Sequence, residues 1–589
     1  MPSLKEKLSA LVGAKFREMD LPEDLGTVRL SDRPDLAQFQ CNGAMAAARI
    51  AKKPPREIAE TLVTMLKNDS VFKSVEIAGP GFINLVLEDS ALAEFLEELA
   101  TDPRAGVKTY SGRERVILDY GGPNAAKALH VGHVRPTVIG DCLKRICKFA
   151  GYNALGDVHL GDWGLQIGQI IAYLKHSRPE LPYFQEKSGK AYPEEPLFSF
   201  TELETIYPEA SARCKEDRAF LEEARQATAD LQKGHEGYLA LWRHIMDQSI
   251  KHMKQNFDRL DVHFELWKGE ADVDPLIPEI AEDMTRKGIL VESEGAQVIH
   301  VKEDSDNKDM PPLMFYKSSG AVTYGTTDVA TIYDRIQTFP DLKQIIYVAD
   351  KRQTLHFEQV FRACKKAGYL DGIHVRHVGF GTLNGPDGKP FKTRQGGTVR
   401  LHSLIDMAME KARKRLVEAE LAEDFPEAER DKIAWCVALA ALKFADLINQ
   451  PHVDYIFNLD HMTRFEGKTG PYLLYQAVRI QSLLRKAEEK KFEFSKEIRL
   501  SDAMDRDLAL ILAEFPDVFD STFVQLSPHV LAEYAYKLAS GFSSFYGKCH
   551  ILTEKDEDIR NTRLALSKLT HTILVRILDL MGIPVPLRM

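Results

Sequence analysis

The sequence has little cysteine and no long apolar run. Seven cysteines are scattered over 589 residues, and no two stand as Cys-x-x-Cys; Cys142 and Cys147 are the closest. Zinc sites and disulfide frameworks draw on tight cysteine spacings, so neither is expected, and a reducing, cytoplasmic setting fits. No segment approaches the ~20 apolar residues of a membrane helix, so no membrane partner is expected. The opening "MPSLKEKLSALVGAKFREMD" lacks the apolar centre of a secretory signal. Its Glu6, Glu18 and Asp20 argue against a transit peptide. Neither a Walker A sequence nor a G-x-G-x-x-G fingerprint occurs, so a nucleotide would be held by another device. Basic residues are in deficit: 77 Lys and Arg against 87 Asp and Glu give a net charge of −10. That balance lends no support to nucleic-acid binding and does not exclude it, because steering depends on local patches.

What is present suits a large α/β protein. The apolar fraction is 44%, and the chain is too long for one core. Residues 1–105 read as a small α/β domain. "CNGAMAAARIAKKPPREIAETLVTMLKND" is helical and breaks at Pro54-Pro55. "VFKSVEIAGPGFINLVLED" gives two strands about a Gly-Pro-Gly turn. From 112 to about 400 the pattern is strand, glycine-rich turn, helix, strand. That alternation predicts a doubly wound, Rossmann-like parallel sheet. Residues 172–270 are charged and mostly helical and interrupt it as an insertion. Strands are expected to resume with "QVIHVK", "AVTYGTTDVA", "QIIYVAD" and "IHVRHVGFG". From 401 to 589 the chain reads as all-α, with amphipathic runs such as "AWCVALAALKFADLI".

The chemistry concentrates in two stretches. "VILDYGGPNAAKALHVGHVR" reads as a buried strand, a turn, and a helix from about His130. A helix N-terminus at the carboxyl end of a parallel strand is an anion site. His130 and His133 can donate to phosphate oxygens there, and the bare Gly132 lets a flat group approach the backbone. Alone, two such histidines are more often ordinary polar helix residues. The second stretch is "GFGTLNGPDGKPFKTRQGGTVRL", where Lys389, Lys392 and Arg394 lie among Gly385, Gly388, Gly396 and Gly397. A basic loop of this kind can close on a polyphosphate and neutralise a leaving pyrophosphate. Together the stretches suggest nucleotidyl transfer without a covalent enzyme intermediate.

"HVGH" at 130–133 resembles the HIGH motif of class I aminoacyl-tRNA synthetases, and "PFKTR" at 390–394 a degenerate KMSKS loop. "PNAAKALHVGHVRPTVIGD", "HLGDWGLQIGQ", "YGTTDVAT", "IYVADKRQTLHFEQVF" and "GPYLLYQAVRI" together resemble the arginyl-tRNA synthetase family of bacterial type, over nearly the whole chain. The resemblance implies a class I catalytic domain and a two-step reaction. Arginine attacks the α-phosphate of ATP, and the adenylate then esterifies the terminal adenosine of the arginine tRNA. It implies Mg2+ with the ATP, no zinc held by the protein, and action as a monomer.

The resemblance also assigns residues. His130 and His133 stabilise the transferring phosphates, and Gly132 lies against the nucleotide. Lys392 matches the second lysine of the loop. The loop's first lysine is missing at its usual place, and Lys127 is the candidate to compensate. Lys389, Asp350 and His356 fall on the ATP side. For arginine a carboxylate must meet a planar guanidinium. Asp328 is the candidate, with Tyr324 one helical turn before it. Asp119 and Asn124 hold the backbone end of the substrate, and Gln353 adds a polar contact. Asp157, Asp162 and Trp163 are read as supports rather than catalytic groups.

The flanking domains are expected to read tRNA. The helical C-terminal region resembles the family's anticodon-binding domain, with Tyr475, Tyr546, His550 and Met589 as candidates. Stacking on exposed aromatics is the general device, although aromatics on amphipathic helices are more often core. The N-terminal domain resembles the family's additional tRNA-binding domain, with Phe39, Gln40 and Asn42 against a looped-out base. Two alternatives remain. One is an enzyme of other specificity: a class I synthetase for cysteine or another amino acid, or a small-molecule nucleotidylyltransferase. The other is a non-catalytic tRNA-binding relative.

Overall fold

The computed structural model describes the chain apart from residues 34, 186–190, 386, 390, 392–398, 423 and 495–496. It divides into two units. One is Met1–Tyr110, Leu416–Ala440 and Arg464–Met589; the other is Ser111–Arg415 and Ala441–Thr463.

The first unit begins with α1 (Leu4–Glu18), which Ser3 and Glu6 start with a reciprocal capping box. Strands β1 (Val28–Leu30) and β2 (Phe39–Cys41) precede α2 (Gly43–Ala51) and α3 (Pro55–Leu66). The break expected at the two prolines is there: Lys52 ends α2 in the left-handed conformation and Pro55 opens α3. Strands β3 (Phe72–Ala78) and β4 (Phe82–Leu87) flank the Gly-Pro-Gly turn, and α4 (Asp89–Thr101) follows. The four strands form an antiparallel sheet in the order β1-β2-β4-β3.

The second unit holds β5 (Arg115–Asp119), α5 (Val134–Phe149), β6 (Asn153–Leu160), α6 (Leu165–Ser177), α7 (Phe200–Glu216), α8 (Arg218–Gln232), α9 (Glu236–Arg259) and β7 (Leu266–Gly269). The helical insertion thus runs from β6 to β7. Next come α10 (Glu270–Val273), α11 (Ile277–Arg286), β8 (Leu290–Ser293), β9 (Ala296–Ile299), β10 (Leu313–Tyr316), α12 (Tyr324–Thr338), β11 (Leu342–Asp350), α13 (Thr354–Lys366), β12 (His374–Phe380) and β13 (Leu383–Asn384). Helices α14 (Leu401–Glu418) and α15 (Glu427–Leu447) each contribute to both units. Strand β14 (Tyr455–Ile456) and α16 (Leu459–Met462) complete the second unit.

Five strands form its main sheet, in the order β12-β11-β5-β6-β7, with every pair parallel. Val116, Ile117 and Leu118 of β5 are fully buried, as expected of a strand covered on both faces. The chain passes from β5 to β6 and β7 on one side, then crosses to β11 and β12 on the other. The strand order therefore reverses between β5 and β11. The carboxyl ends of those two strands form the crevice where open α/β sheets take ligands.

One expected strand is a helix. "AVTYGTTDVA" is rich in β-branched residues, but from Tyr324 it winds into α12. The threonines make the difference. Thr323 caps the helix together with Thr326, whose hydroxyl donates to the Phe315 carbonyl. The Thr327 and Thr331 hydroxyls donate back to carbonyls of the preceding turn, at 2.9 and 2.8 Å. Val329, Ala330 and Ile332 then pack into the core shared with Ile117, Phe315 and Ile345.

The remaining helices return to the first unit: α17 (Gly470–Glu489), α18 (Ala503–Ala513), α19 (Phe515–Gln525), α20 (Pro528–Lys548) and α21 (Glu557–Leu580). Among the described residues no helix is long and apolar enough to cross a membrane.

Candidate active site

The turn after β5 brings the histidines to the crevice. Gly121 and Gly122 both take positive φ, which suits glycine where the chain leaves the strand. The helix expected from His130 starts slightly later: Val131–His133 is a single 3-10 turn, and α5 begins at Val134. The Val131 N–H donates to the Val399 carbonyl at 2.9 Å, and the Leu401 N–H to the Leu129 carbonyl at 2.8 Å. The segment leaving the basic loop is thereby laced to the histidine turn.

Backbone N–H groups of the turn fix the proton of each imidazole. The His130 backbone N–H donates to Nδ1 of His133 at 3.0 Å, and the Gly132 backbone N–H donates to Nδ1 of His130 at 3.1 Å. Each Nδ1 is an acceptor, so each ring carries its proton on Nε2. Burial, with His130 and Lys127 nearby, pushes His133 down to about 3, and burial also lowers His130. Both are therefore neutral N–H donors near pH 7. Gly132 has a local reason as well: a Cβ there would stand 2.8 Å from Cε1 of His130.

Helix α12 presents a polar stripe, Tyr324, Asp328, Thr331 and Arg335, at the spacing of one helix face. Tyr324 is 77% exposed at its mouth end. Asp328 Oδ2 accepts from Nε2 of His356 at 2.5 Å. The Thr331 hydroxyl meets Nε2 of His159 at 3.2 Å. Arg335 is 1% exposed and donates to Asp119 and Asp157 at 2.6 Å each, and to the Tyr347 hydroxyl at 3.0 Å. Burial raises Asp119 despite that guanidinium. Asp157 is thus the support it was expected to be. Asp119 at the strand end is both tied to Arg335 and on the wall of the cleft.

The cleft has a volume of about 510 Å³, within the ~300–1,000 Å³ of ligand pockets. Its walls are Asp119–Gly122 after β5, Tyr347–Asp350 of β11, the histidine turn with Gly132, and Tyr324, Asp328, Gln353 and His356. Asp350 accepts from the Arg352 backbone N–H and pairs its side chain through both oxygens. Those bonds hold it below the usual carboxylate range. His356 was expected on the ATP side; the structure gives its Nε2 to Asp328.

Three expected residues lie off the cleft wall. Asn124 forms a parallel bridge to Gly161, just past the end of β6. Lys127 places its ammonium 4.8 Å over the ring of Tyr207, from α7 of the insertion. Lys389 is exposed in a tight turn, where its carbonyl accepts from the Gly385 N–H at 2.7 Å. Lys392 lies outside the described residues.

One acid was missed. Glu270 opens α10 at the carboxyl end of β7, and its carboxyl is pushed to about 7 by burial and by the charge of Asp328. It also bears on Tyr324. Its one sequence signal is an acidic run, "GEADVDP", directly after a strand. Asp162, beside it, is likewise pushed to about 7, mainly by burial.

The tRNA candidates divide. Phe39 is only 4% exposed, on the interior face of β2 against Leu85, so it is core and cannot stack on a base. The apolar alternation of β2 explains this. Gln40 points to the other face and donates to Asn84 at 3.0 Å; Asn42 precedes α2 and is half-buried. On the helical part, Tyr475 and Tyr546 are half-buried, and Arg479 lies 4.2 Å over the Tyr546 ring. His550 is exposed and Met589 half-buried.

This architecture has known counterparts. Residues 96–459 match the model for tRNA synthetases class I (R), catalytic domain. Residues 3–87 match the arginyl tRNA synthetase N terminal domain, and 473–589 the DALR anticodon binding domain. The domain that holds the parallel sheet is that of a class I aminoacyl-tRNA synthetase. An arginine–tRNA ligase of Hyphomonas neptunium is 47% identical over 590 residues, covering all of both chains, and one of Maricaulis maris is 46% identical, also over all of both. The arginyl-tRNA synthetase structure from Plasmodium falciparum superposes with a TM-score of 0.83 at 26% identity, again over all of both chains. That of Thermus thermophilus shares the fold, with a TM-score of 0.79 at 22% identity over the same extent. The chain belongs to the arginyl-tRNA synthetase family, and its activity is the ligation of L-arginine to tRNA.

Proposed function

We propose that the crevice between β5 and β11 is where both steps of this ligation occur, with ATP over the histidine turn and arginine along α12. The observation that carries the reading is the meeting of two neutral Nε2–H donors with the Asp328 carboxylate in one cleft. The arginine carboxylate oxygen attacks the α-phosphorus, the bond to the β-phosphate oxygen breaks, and pyrophosphate leaves. A hydroxyl of the terminal adenosine then attacks the arginyl carbonyl, and AMP leaves.

Neutral imidazoles stabilise the extra negative charge on the phosphate oxygens by hydrogen bonding rather than by ionic attraction. The positive charge comes from lysines: Lys392 and Lys389 of the basic loop, and Lys127 from its place beside Tyr207. ATP enters as substrate with its Mg2+. Asp328 and Glu270 meet the guanidinium, Tyr324 closes the mouth, and Gln353 adds a polar contact. Asp119, with Asn124 at the rim, takes the ammonium end, and Asp350 the adenosine side.

A cysteine specificity fits poorly, since no cysteine lines the cleft and all seven are buried. None of the seven forms a disulfide, which supports a cytoplasmic setting, and we take the enzyme to act as a monomer. Gln40, Asn42, Tyr475, Tyr546, His550 and Met589 remain the tRNA-facing candidates, now without Phe39. The test is amino-acid-dependent ATP–pyrophosphate exchange across the standard amino acids, with and without total tRNA. Exchange with arginine alone is expected, and only when tRNA is present. Exchange with another amino acid would keep the chemistry and discard the pocket. No exchange with retained tRNA binding would favour a non-catalytic relative.

A further inference from the structure

Two carboxylates on the cleft wall stand within reach of the first turn of α13. Asp350 has both oxygens taken by Arg352, at 2.9 and 2.6 Å. Among the described residues no group of its own helix bonds the Asp328 carboxylate. His356 fills that gap from α13, with Nε2 2.5 Å from Oδ2. Both side chains are about three-quarters buried, at 28% and 24% exposed. Among the described residues Oδ1 of Asp328 has no recorded partner.

We propose that His356 is a positioning residue for the arginine reader: it sets the plane of the Asp328 carboxylate so that the remaining lone pairs meet the guanidinium fork. This rests on the reading that the cleft takes arginine beside Asp328. A carboxylate free to turn about its Cβ–Cγ bond offers no preferred plane to a ligand. One pinned at Oδ2 presents Oδ1 and the second lone pair of Oδ2 in a fixed direction. A guanidinium carries parallel N–H groups that match such a plane, and a spherical ammonium gains nothing from it. His356 thus acts on arginine through Asp328, not on the nucleotide, although both walls belong to one cleft.

The test is arginine-dependent ATP–pyrophosphate exchange by the full chain with tRNA present, varying arginine and ATP separately. His356→Leu removes the donor. The loss of one charge-assisted hydrogen bond is expected to raise the arginine KM about tenfold, with kcat and the ATP KM within about twofold. His356→Gln keeps an N–H donor near the position of Nε2 and is expected to bring the arginine KM back within about threefold of the native value. A rise in the ATP KM with the arginine KM unchanged would overturn the proposal and return His356 to the adenosine side. Equal rises in both, or no rescue by glutamine, would overturn it as well. Absence of arginine-dependent exchange in the unaltered protein would instead fail the underlying function, a distinct result.

Discussion

His133 and Glu270 show burial acting in opposite senses on a base and an acid. Burial removes charge from each: the imidazole stays neutral far below its ordinary range, and the carboxyl holds its proton up to about 7. For Glu270 this has a pH consequence. Above about 7 it ionises, and on the proposed reading it then adds a second negative charge for the guanidinium; below about 7 it is neutral. The arginine KM is therefore expected to fall by up to roughly tenfold from pH 6 to 8, the ratio of ionised fractions for one site at pKa 7. Asp162 titrates in the same range, so Glu270→Gln is the control. The variant should have a higher, flat arginine KM; a slope that survives in it would assign the effect elsewhere. Asp328→Ala is expected to raise the arginine KM by more than tenfold and to leave the ATP KM nearly unchanged. Steady-state exchange kinetics measure both, and equal effects would remove Asp328 from the pocket.

Helix α12 is the element on which the site hangs. Its buried foot is Arg335, whose one charge serves two carboxylates on neighbouring strands, Asp119 of β5 and Asp157 of β6. The arrangement ties the helix to the sheet at the strand ends that line the cleft. Arg335→Met would leave both carboxylates without their cation. A loss of about 3–5 kcal/mol of stability is expected for breaking such a buried pair, read as a lower urea midpoint. Adding Asp157→Asn should restore part of it, because a single carboxylate in a dry site can stay protonated. A midpoint unmoved by Arg335→Met would show that water already reaches the pair.

Across the whole molecule, the catalytic unit and the helical part of the other unit carry separable tasks. Tyr475 and Arg479 are one turn apart on α17, and Arg479 covers Tyr546 of α20. This pairing offers a guanidinium face and an aromatic face together, a combination suited to unpaired bases. Tyr546→Ala is expected to weaken tRNA binding about tenfold, near the value of one lost stacking contact, and to leave the arginine KM at saturating tRNA unchanged. Filter binding and exchange assays read the two quantities independently. A loss of activation without loss of affinity would place Tyr546 in the core of the bundle instead.

The order of elements was legible in the sequence because it rests on local signals. The run Val116–Leu118 reads as a buried strand, Pro54-Pro55 as a helix break, and His130, Gly132 and His133 stand in a motif. Asp328 was legible by the same means. The tertiary structure decided what local signals leave open. The threonines around Asp328 favour a strand on propensity, and only capping against Phe315 and packing against Ile345 made them a helix. Phe39 looked available for stacking until the sheet turned it inward. Glu270, His356 and Asp328 lie far apart in the chain, and no spacing rule joins them. The contact of Asp328 with His356, and the nearness of Glu270 to Asp328, depend on how α12, α13 and the end of β7 are placed by the crossover of the sheet between β5 and β11. Residue type determined which groups can donate, accept or carry charge. The fold determined which of them are dry, which are neutral, and which are joined by a hydrogen bond.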